Sequence, residues 1–192
     1  MQDAAKEWDE RYRQGRTMPD EPAALLVENL SLLPKGGRAL DIAMGTGRNA
    51  LYLASLGFQV TGVDLSAVAV EKCRQKAERL GLSIDALVAD LEHYPLPTGE
   101  CDLIVNFYYL QRSLAPRIVA ALKPGGVLVF ETYTIDQLQF GWGPKNPDYL
   151  LRPGELRDMF PDLETLHYHE GVIQGDRGQK AVAQLIGRRT GA

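Results

Sequence analysis

Between residues 38 and 133 the sequence alternates short aliphatic runs with segments of helical periodicity, and few folds accept that pattern. The runs ALDIA (39–43), FQVTGVD (58–64), IDALVA (84–89), CDLIVNF (101–107) and VLVFETY (127–133) read as strands. Residues 49–56 read as a helix closed by Gly57. Ser66 is a good N-cap for a helix over 67–80 that Gly81 closes. A further helix ends over 117–122, before Lys123-Pro124-Gly125-Gly126. Strands this apolar are buried on both faces, so the pattern predicts a parallel sheet with helices on each side.

The flanks complete the expectation. Residues 3–14 and 20–33 read as helices, the second with Pro22 near its start and Leu25, Leu26, Asn29 and Leu32 on one face. Residues 134–150 read as a long loop and 153–160 as a short helix. Residues 163–172 and 180–188 read as two strands joined by the stretch GVIQGDRG. The fold class is therefore doubly wound α/β, a mostly parallel seven-stranded sheet whose last strand is antiparallel. It forms a single domain over 1–192, divided into a helical cover (1–34), a ligand-binding core (38–133), and a cover loop with a terminal strand pair (134–192).

The chain has 192 residues, 45% of them apolar, and a formal net charge of −4, which excludes wholesale disorder and disfavours nucleic acid as a partner. The charged opening MQDAAKEWDERYRQG is no secretory signal, and no apolar run is long enough to cross a membrane. A cytoplasmic location is expected. Cys73 and Cys101 form no Cys-x-x-Cys pair, so a disulfide scaffold and a thiolate zinc site are unsupported; they read as helix packing and a strand start.

In an open α/β sheet, ligands bind beyond the carboxyl ends of the strands. The first strand is followed by Ala43-Met44-Gly45-Thr46-Gly47-Arg48-Asn49, where glycines let the backbone approach a ligand. The second ends at Asp64-Leu65, a carboxylate placed to accept both hydroxyls of a ribose or simply to cap the next helix. After the third, Asp90 can accept from an adenine amino group while the Leu91 N–H donates to the ring. Gly45-x-Gly47-x-x-Ala50 followed by an acid also fits a dinucleotide fingerprint loosely, so an NAD-linked oxidoreductase is a rival. Asp41 within the first strand, the third acidic turn at Asp90 and the Lys-Pro-Gly-Gly turn favour S-adenosylmethionine.

Over about residues 38–133 the chain resembles the class I S-adenosylmethionine-dependent methyltransferases, and within them most the small tellurite-resistance-type enzymes. The motif D-x-G-x-G-x-G reads Asp41-Ile42-Ala43-Met44-Gly45-Thr46-Gly47, the second-motif acid matches Asp64, and the adenine-side acid matches Asp90. CDLIVNFYYL and LKPGGVLVFET match later motifs, and WDERYRQG and YLLRPGELRDMF add to the likeness. The resemblance implies S-adenosylmethionine as cofactor, held by Asp41, Ala43, Gly45, Gly47, Asn49, Asp64, Leu65, Asp90, Leu91, Asn106 and Phe107. It implies methyl transfer to a small-molecule acceptor such as a thiol or chalcogen anion. One departure is Ala43 where the family has glycine. Either the turn keeps φ negative there, or the cofactor's amino-acid end sits differently.

Residues after the fourth strand face the methyl group in such enzymes. Asn106, Phe107 and Tyr108 do not complete the N/D-P-P-Y pattern of amide and base methyltransferases. Tyr108 and Tyr109 are candidates for an aromatic acceptor pocket, only one pointing inward if the segment is extended, and Arg112 is a candidate for holding an anion or else a surface cation. Glu131, Thr132 and Tyr133 are secondary candidates. Trp8 and Tyr12, four apart with Arg11 beside them, either contact the cofactor as a lid or dock the first helix. Arg152 and Trp142 belong to a possible second cover. His167 and His169 share a strand face without a third metal ligand, and His93 lies in a loop near Asp90. No metal is expected. A sensor that binds the cofactor without turnover, and a macromolecular methyltransferase, are further alternatives.

Overall fold

The computed structural model describes residues 2–15, 19–175 and 178–191. One seven-stranded sheet organises the chain: β1 (Arg38–Ile42), β2 (Gln59–Asp64), β3 (Ile84–Val88), β4 (Cys101–Phe107), β5 (Leu122–Tyr133), β6 (Leu163–Gly175) and β7 (Gly178–Arg189). Their spatial order is β3-β2-β1-β4-β5-β7-β6. The first five are parallel, and β7 runs antiparallel between β5 and the edge strand β6. The strand order reverses between β1 and β4, which opens a crevice above their carboxyl ends.

One face of the sheet packs Ala39, Leu103, Val105, Val127, Val129 and Ile186 against Leu25, Leu26, Ala50 and Leu53 of the helices above it. The other packs Leu40, Ile42, Ile104, Leu128, Phe130 and Leu185 against Ile118, Leu156 and Phe160. The first face carries α2 (Ala24–Glu28) and α3 (Arg48–Ser55), with α4 (Ala67–Leu80) beside them over β2 and β3; the second carries α5 (Ala115–Ala121) and α6 (Glu155–Asp158). The amino-terminal helix α1 (Gln2–Arg13) lies outside both layers, against α4.

Several boundaries differ from the sequence expectation, each for a local reason. The helix expected over 20–33 is only α2 followed by a 3-10 turn at Leu30–Leu32. The Asn29 carboxamide donates to the Leu25 carbonyl (2.9 Å), capping the helix with the residue assigned to its apolar face. Leu122 starts β5 rather than ending a helix, and Lys123-Pro124-Gly125-Gly126 forms a bulge between the Leu122 and Val127 pairings. A Cβ at Gly126 would stand 2.8 Å from the Cys101 carbonyl, so the bulge admits only glycine there. The 134–150 loop contains short 3-10 turns at Ile135–Gln139 and Pro147–Tyr149, and the helix expected over 153–160 shortens to α6. No helix among the described residues is long and apolar enough to cross a membrane.

The turn after β1 settles the question raised by Ala43, whose φ is +53°. The backbone is left-handed there, a conformation that glycine takes freely, and alanine carries its strain of about 1 kcal/mol or more. We predict that Ala43→Gly raises the melting temperature by about 2–4 °C, as about 1 kcal/mol does in a chain of this size. Calorimetry checks this, and an unchanged or lower midpoint would mean that the alanine methyl's packing outweighs the strain.

Candidate functional site

The loop Ala43–Gly47 is built by clearing side chains from under and around it. A Cβ at Gly62 of β2 would meet the Met44 sulfur at 2.1 Å, and one at Gly47 would meet the Cys73 sulfur at 2.3 Å. Gly45 and Gly47 have φ of +58° and +83°, and Gly47 opens α3. Above the loop, a Cβ at Gly45 would meet the Tyr12 hydroxyl at 2.9 Å. Tyr12 of α1 therefore covers the glycines. Burial and the nearby Asp64 carboxylate hold its phenol protonated, with a pKa well above the ordinary value.

Asp64 ties this loop to the next strand. One carboxylate oxygen accepts from the Gly45 N–H (2.8 Å) and the other from the Ser66 N–H (2.8 Å). Each oxygen keeps a second lone pair for a ligand hydroxyl. The network continues outward. The Ser66 hydroxyl caps α4 by accepting from Ala69 N–H and donates to Asp9 of α1 (2.6 Å), which also accepts from Val68 N–H (3.2 Å). The Ser66 bond, with the Val68 N–H beside it, holds the Asp9 carboxyl below its usual range. Trp8 is 44% exposed, with its ring 6.0 Å from that of Tyr12 and the Arg11 guanidinium 4.7 Å from its centroid.

Asp41 is 2% exposed, and its Oδ2 has no hydrogen-bond partner among the described residues. Burial raises its pKa to about 8, against the pull of the Ala50 N–H and the Arg48 charge. Asn106 is equally buried: its amide donates to the Tyr109 carbonyl (2.8 Å), and its Oδ1 has no partner among the described residues. Two orphaned acceptors at the ends of adjacent strands suit a ligand rich in donors.

Other sequence candidates are spent elsewhere. Asn49, expected at the cofactor, accepts from the Ala23 N–H (2.9 Å) and holds the start of α2. Arg112 clamps the carboxyl-terminal third through Glu155 (2.6 Å) and the Asp148 and Leu150 carbonyls, which leaves little for an anionic acceptor. Arg152 lies 3.8 Å from the same Glu155. Leu91 buries its side chain in the core, so its N–H is what it can offer a ligand. Leu65 is half-buried between Asp64 and Ser66. Asp90 accepts from Glu92 N–H (3.0 Å) and pairs with exposed His93 (3.2 Å); the Glu92 N–H foremost, and His93, keep its carboxyl below the usual range. Asp90, Glu92 and His93 cluster closely enough to hold an ion, but only as exposed acidic groups. Cys73 and Cys101 are buried and free.

Beyond β4 the two tyrosines part, but the segment is not extended there: the left-handed backbone at Tyr108, rather than strand alternation, separates them. Tyr109 packs on the α5 side, where burial pushes its phenol up to about 12. Tyr108 turns to the α3 side with φ +61°, an outlier for so bulky a residue. Its hydroxyl donates to Glu131 and accepts from Lys180, and Lys180 pairs with Glu131 at 2.7 Å. Gln184 donates to the other Glu131 oxygen (2.6 Å). Tyr133 stacks on Tyr108 at 5.0 Å, Trp142 meets Tyr133 edge-on at 6.1 Å, and Thr132 is buried beside Glu131. Sequence reasoning reached Glu131 but missed Lys180 and Gln184. They sit on the inward face of β7 with Val182 and Ile186, an interleaving of polar residues that could have flagged them. His167 and His169 lie on β6 with buried, unpartnered Nε2 atoms among the described residues, His169 opposite Gln184.

An open sheet with a glycine turn, a strand-end carboxylate and donor-hungry acceptors at its switch point defines a nucleoside-binding α/β protein. A methyltransferase-domain family model matches residues 39–126. The chain is 30% identical over 174 residues to the ubiquinone biosynthesis O-methyltransferase of Coxiella burnetii, covering 77% of this chain and 74% of that one. It is 27% identical over 167 residues to the probable S-adenosyl-L-methionine-dependent methyltransferase TehB of Haemophilus influenzae, covering 79% of this chain. The chain spans 57% of TehB and 40% of the Bacillus subtilis methyltransferase YodH. The fold matches the structure described as converting a disulfide bond into a thioacetal group during echinomycin biosynthesis, with a TM-score of 0.75, 22% identity, and coverage of 97% and 93% of the two chains. The TehB crystal structure matches with the same TM-score, 20% identity, and coverage of 95% and 66%. The chain belongs to the S-adenosylmethionine-dependent methyltransferases, whose cofactor is S-adenosylmethionine.

The raised pKa of Asp41 has a signed consequence. Its buried neutral form stabilises the free protein fully below the unfolded carboxylate value near 3.8, and that contribution is lost as pH rises to about 8. The unfolding free energy of the free protein, from denaturant titrations, should fall across that window by up to about 1.4 kcal/mol per pH unit. Asp41→Asn should flatten the slope, and an equally steep profile in the variant would place the titration elsewhere.

Proposed function

We infer that the protein transfers the methyl group of S-adenosylmethionine to a small molecule whose nucleophile is a thiolate or another soft anion. The observation that carries this reading is the state of the groups beyond β4. Burial and Glu131 hold the Tyr108 phenol protonated, and both Glu131 oxygens are taken by donors. Neither is a ready proton acceptor, so the acceptor must arrive as a nucleophile. The sulfur chemistry named for the echinomycin-pathway neighbour agrees with this.

The residues present fit the cofactor. Asp64 would accept the ribose hydroxyls, Asp90 and the Leu91 N–H would take the adenine, and the unpartnered Asp41 and Asn106 oxygens would receive the ammonium end. Gly45 and Gly47 leave room for its close approach. When bound, the cofactor supplies an electrophilic methyl on a sulfonium that leaves as a neutral thioether. Tyr12 and Trp8 cover the crevice and exclude water. Phe107 and Tyr108 shape the side from which the acceptor approaches in line. Alignment of this kind is worth roughly 7–11 kcal/mol.

Asp64→Ala removes both the ribose acceptor and the tie to Gly45. Affinity for S-adenosylhomocysteine should fall about 10- to 150-fold by calorimetry, the worth of charge-assisted hydrogen bonds. Unchanged affinity would remove Asp64 from the site. The acceptor class is tested with labelled methyl donor and a panel of thiols, selenite and phenols. With thiols, the rate should climb with pH up to the thiol's own pKa and shift when a thiol of different pKa is used. A profile set by one enzyme pKa, or transfer only to phenols, would show a general base and overturn the reading.

A further inference from the structure

The inner face of β5 and β7 ends in an aromatic corner. Tyr108, Tyr133 and Trp142 step from the end of β4 to the 134–150 loop, with successive ring centroids 5.0 and 6.1 Å apart. Gln137, fully buried, fixes the loop by accepting from the Ala181 N–H (2.9 Å) and donating to the Trp142 carbonyl (3.0 Å). Tyr108 is locked in its left-handed backbone by its own N–H on the Glu131 carbonyl (2.8 Å) and by its hydroxyl on Glu131 and Lys180. Such strain persists only where its surroundings over-determine it, and it concentrates at ligand sites.

Two cations flank the Tyr108 ring: Lys180 with Nζ 5.0 Å from the centroid and Arg48 with its guanidinium carbon 5.8 Å away. They differ in what cancels them. The Lys180 side chain, 13% exposed, is neutralised by Glu131 at 2.7 Å. Arg48 has no ion-pair partner within 4 Å among the described residues; it donates only a long bond (3.3 Å) to the Glu21 carbonyl, and Asp41 feels its charge without pairing with it. A guanidinium presents a planar fork suited to a carboxylate or oxyanion, and the aromatic rings that step away from Tyr108 suit a flat, conjugated body.

We propose that this corner is the acceptor subsite and that it selects planar anionic acceptors, with Arg48 holding the anionic group and Tyr133 and Trp142 stacking on the body, while Lys180 and Glu131 position Tyr108. The assignment rests on the methyl acceptor lying beyond β4, but it is tested by binding and so separately from turnover. The probes are 4-mercaptobenzoate and its neutral methyl ester, titrated calorimetrically into the protein saturated with S-adenosylhomocysteine. The wild-type chain should bind the acid about 10-fold or more tighter than the ester, as expected when a charge-assisted contact is made. Arg48→Met should abolish that preference and Arg48→Lys should restore part of it. Trp142→Ala should weaken both probes alike. S-adenosylhomocysteine affinity, measured first in each variant, reports an intact cofactor site. Ester bound as tightly as acid, a preference that survives Arg48→Met, or no binding of either probe overturns the proposal. Methyl transfer to the same two thiols is scored apart: selective binding without transfer leaves the subsite standing and removes the soft-nucleophile reading.

Discussion

The structure turns on one carboxylate. Asp64 stands at the end of β2 and accepts from Gly45 on one side and Ser66 on the other. These bonds set the glycine turn against the amino end of α4, and through the Ser66 hydroxyl they reach Asp9 and so hold α1 over the crevice. A buried carboxylate is tolerable because it is so well supplied with donors. The same supply fixes the geometry of every group around it. The loop, the helix cap and the cover are consequences of a single acceptor placed at the end of β2, one strand from where the order reverses.

The neighbouring Asp41 shows the opposite condition. It is as buried as Asp64, but among the described residues one of its oxygens and the Asn106 carboxamide oxygen have no partner. Unsatisfied acceptors at such depth cost free energy in the free protein. Strain at Ala43 and Tyr108 adds to that cost, and both residues lie at the ends of strands that frame the crevice. Stability elsewhere, in the two apolar layers that flank the sheet, offsets a site kept out of its own relaxed state.

Much of this was legible in the sequence because it follows from local pattern. The five parallel strands, the Ser66 cap and the Gly45-x-Gly47 turn are all consequences of periodicity and spacing. What escaped depends on contacts across long sequence separations. Asp9 meets Ser66 from 57 residues away, and Lys180 meets Tyr108 from 72. Asn49 and Arg112 carried the right chemistry for a site but are consumed by α2 and by Glu155, and nothing local to either residue signals that partner. The shortened α2 has a different, local origin: a side-chain bond from Asn29 to Leu25, four residues back, competes with the helix that its periodicity suggests.

The insertion of β7 between β5 and β6 has a consequence for biosynthesis. Chains emerge amino end first, and the ligand-binding core from β1 to β5 is complete some fifty residues before Lys180 and Gln184 leave the ribosome, an order of events that follows from vectorial synthesis. During that interval Glu131 has no counterion from its later neighbours, and the inner margin of β5 is an open strand edge able to pair with other nascent polypeptides. The last hairpin thus closes the sheet and neutralises its buried acid in one event.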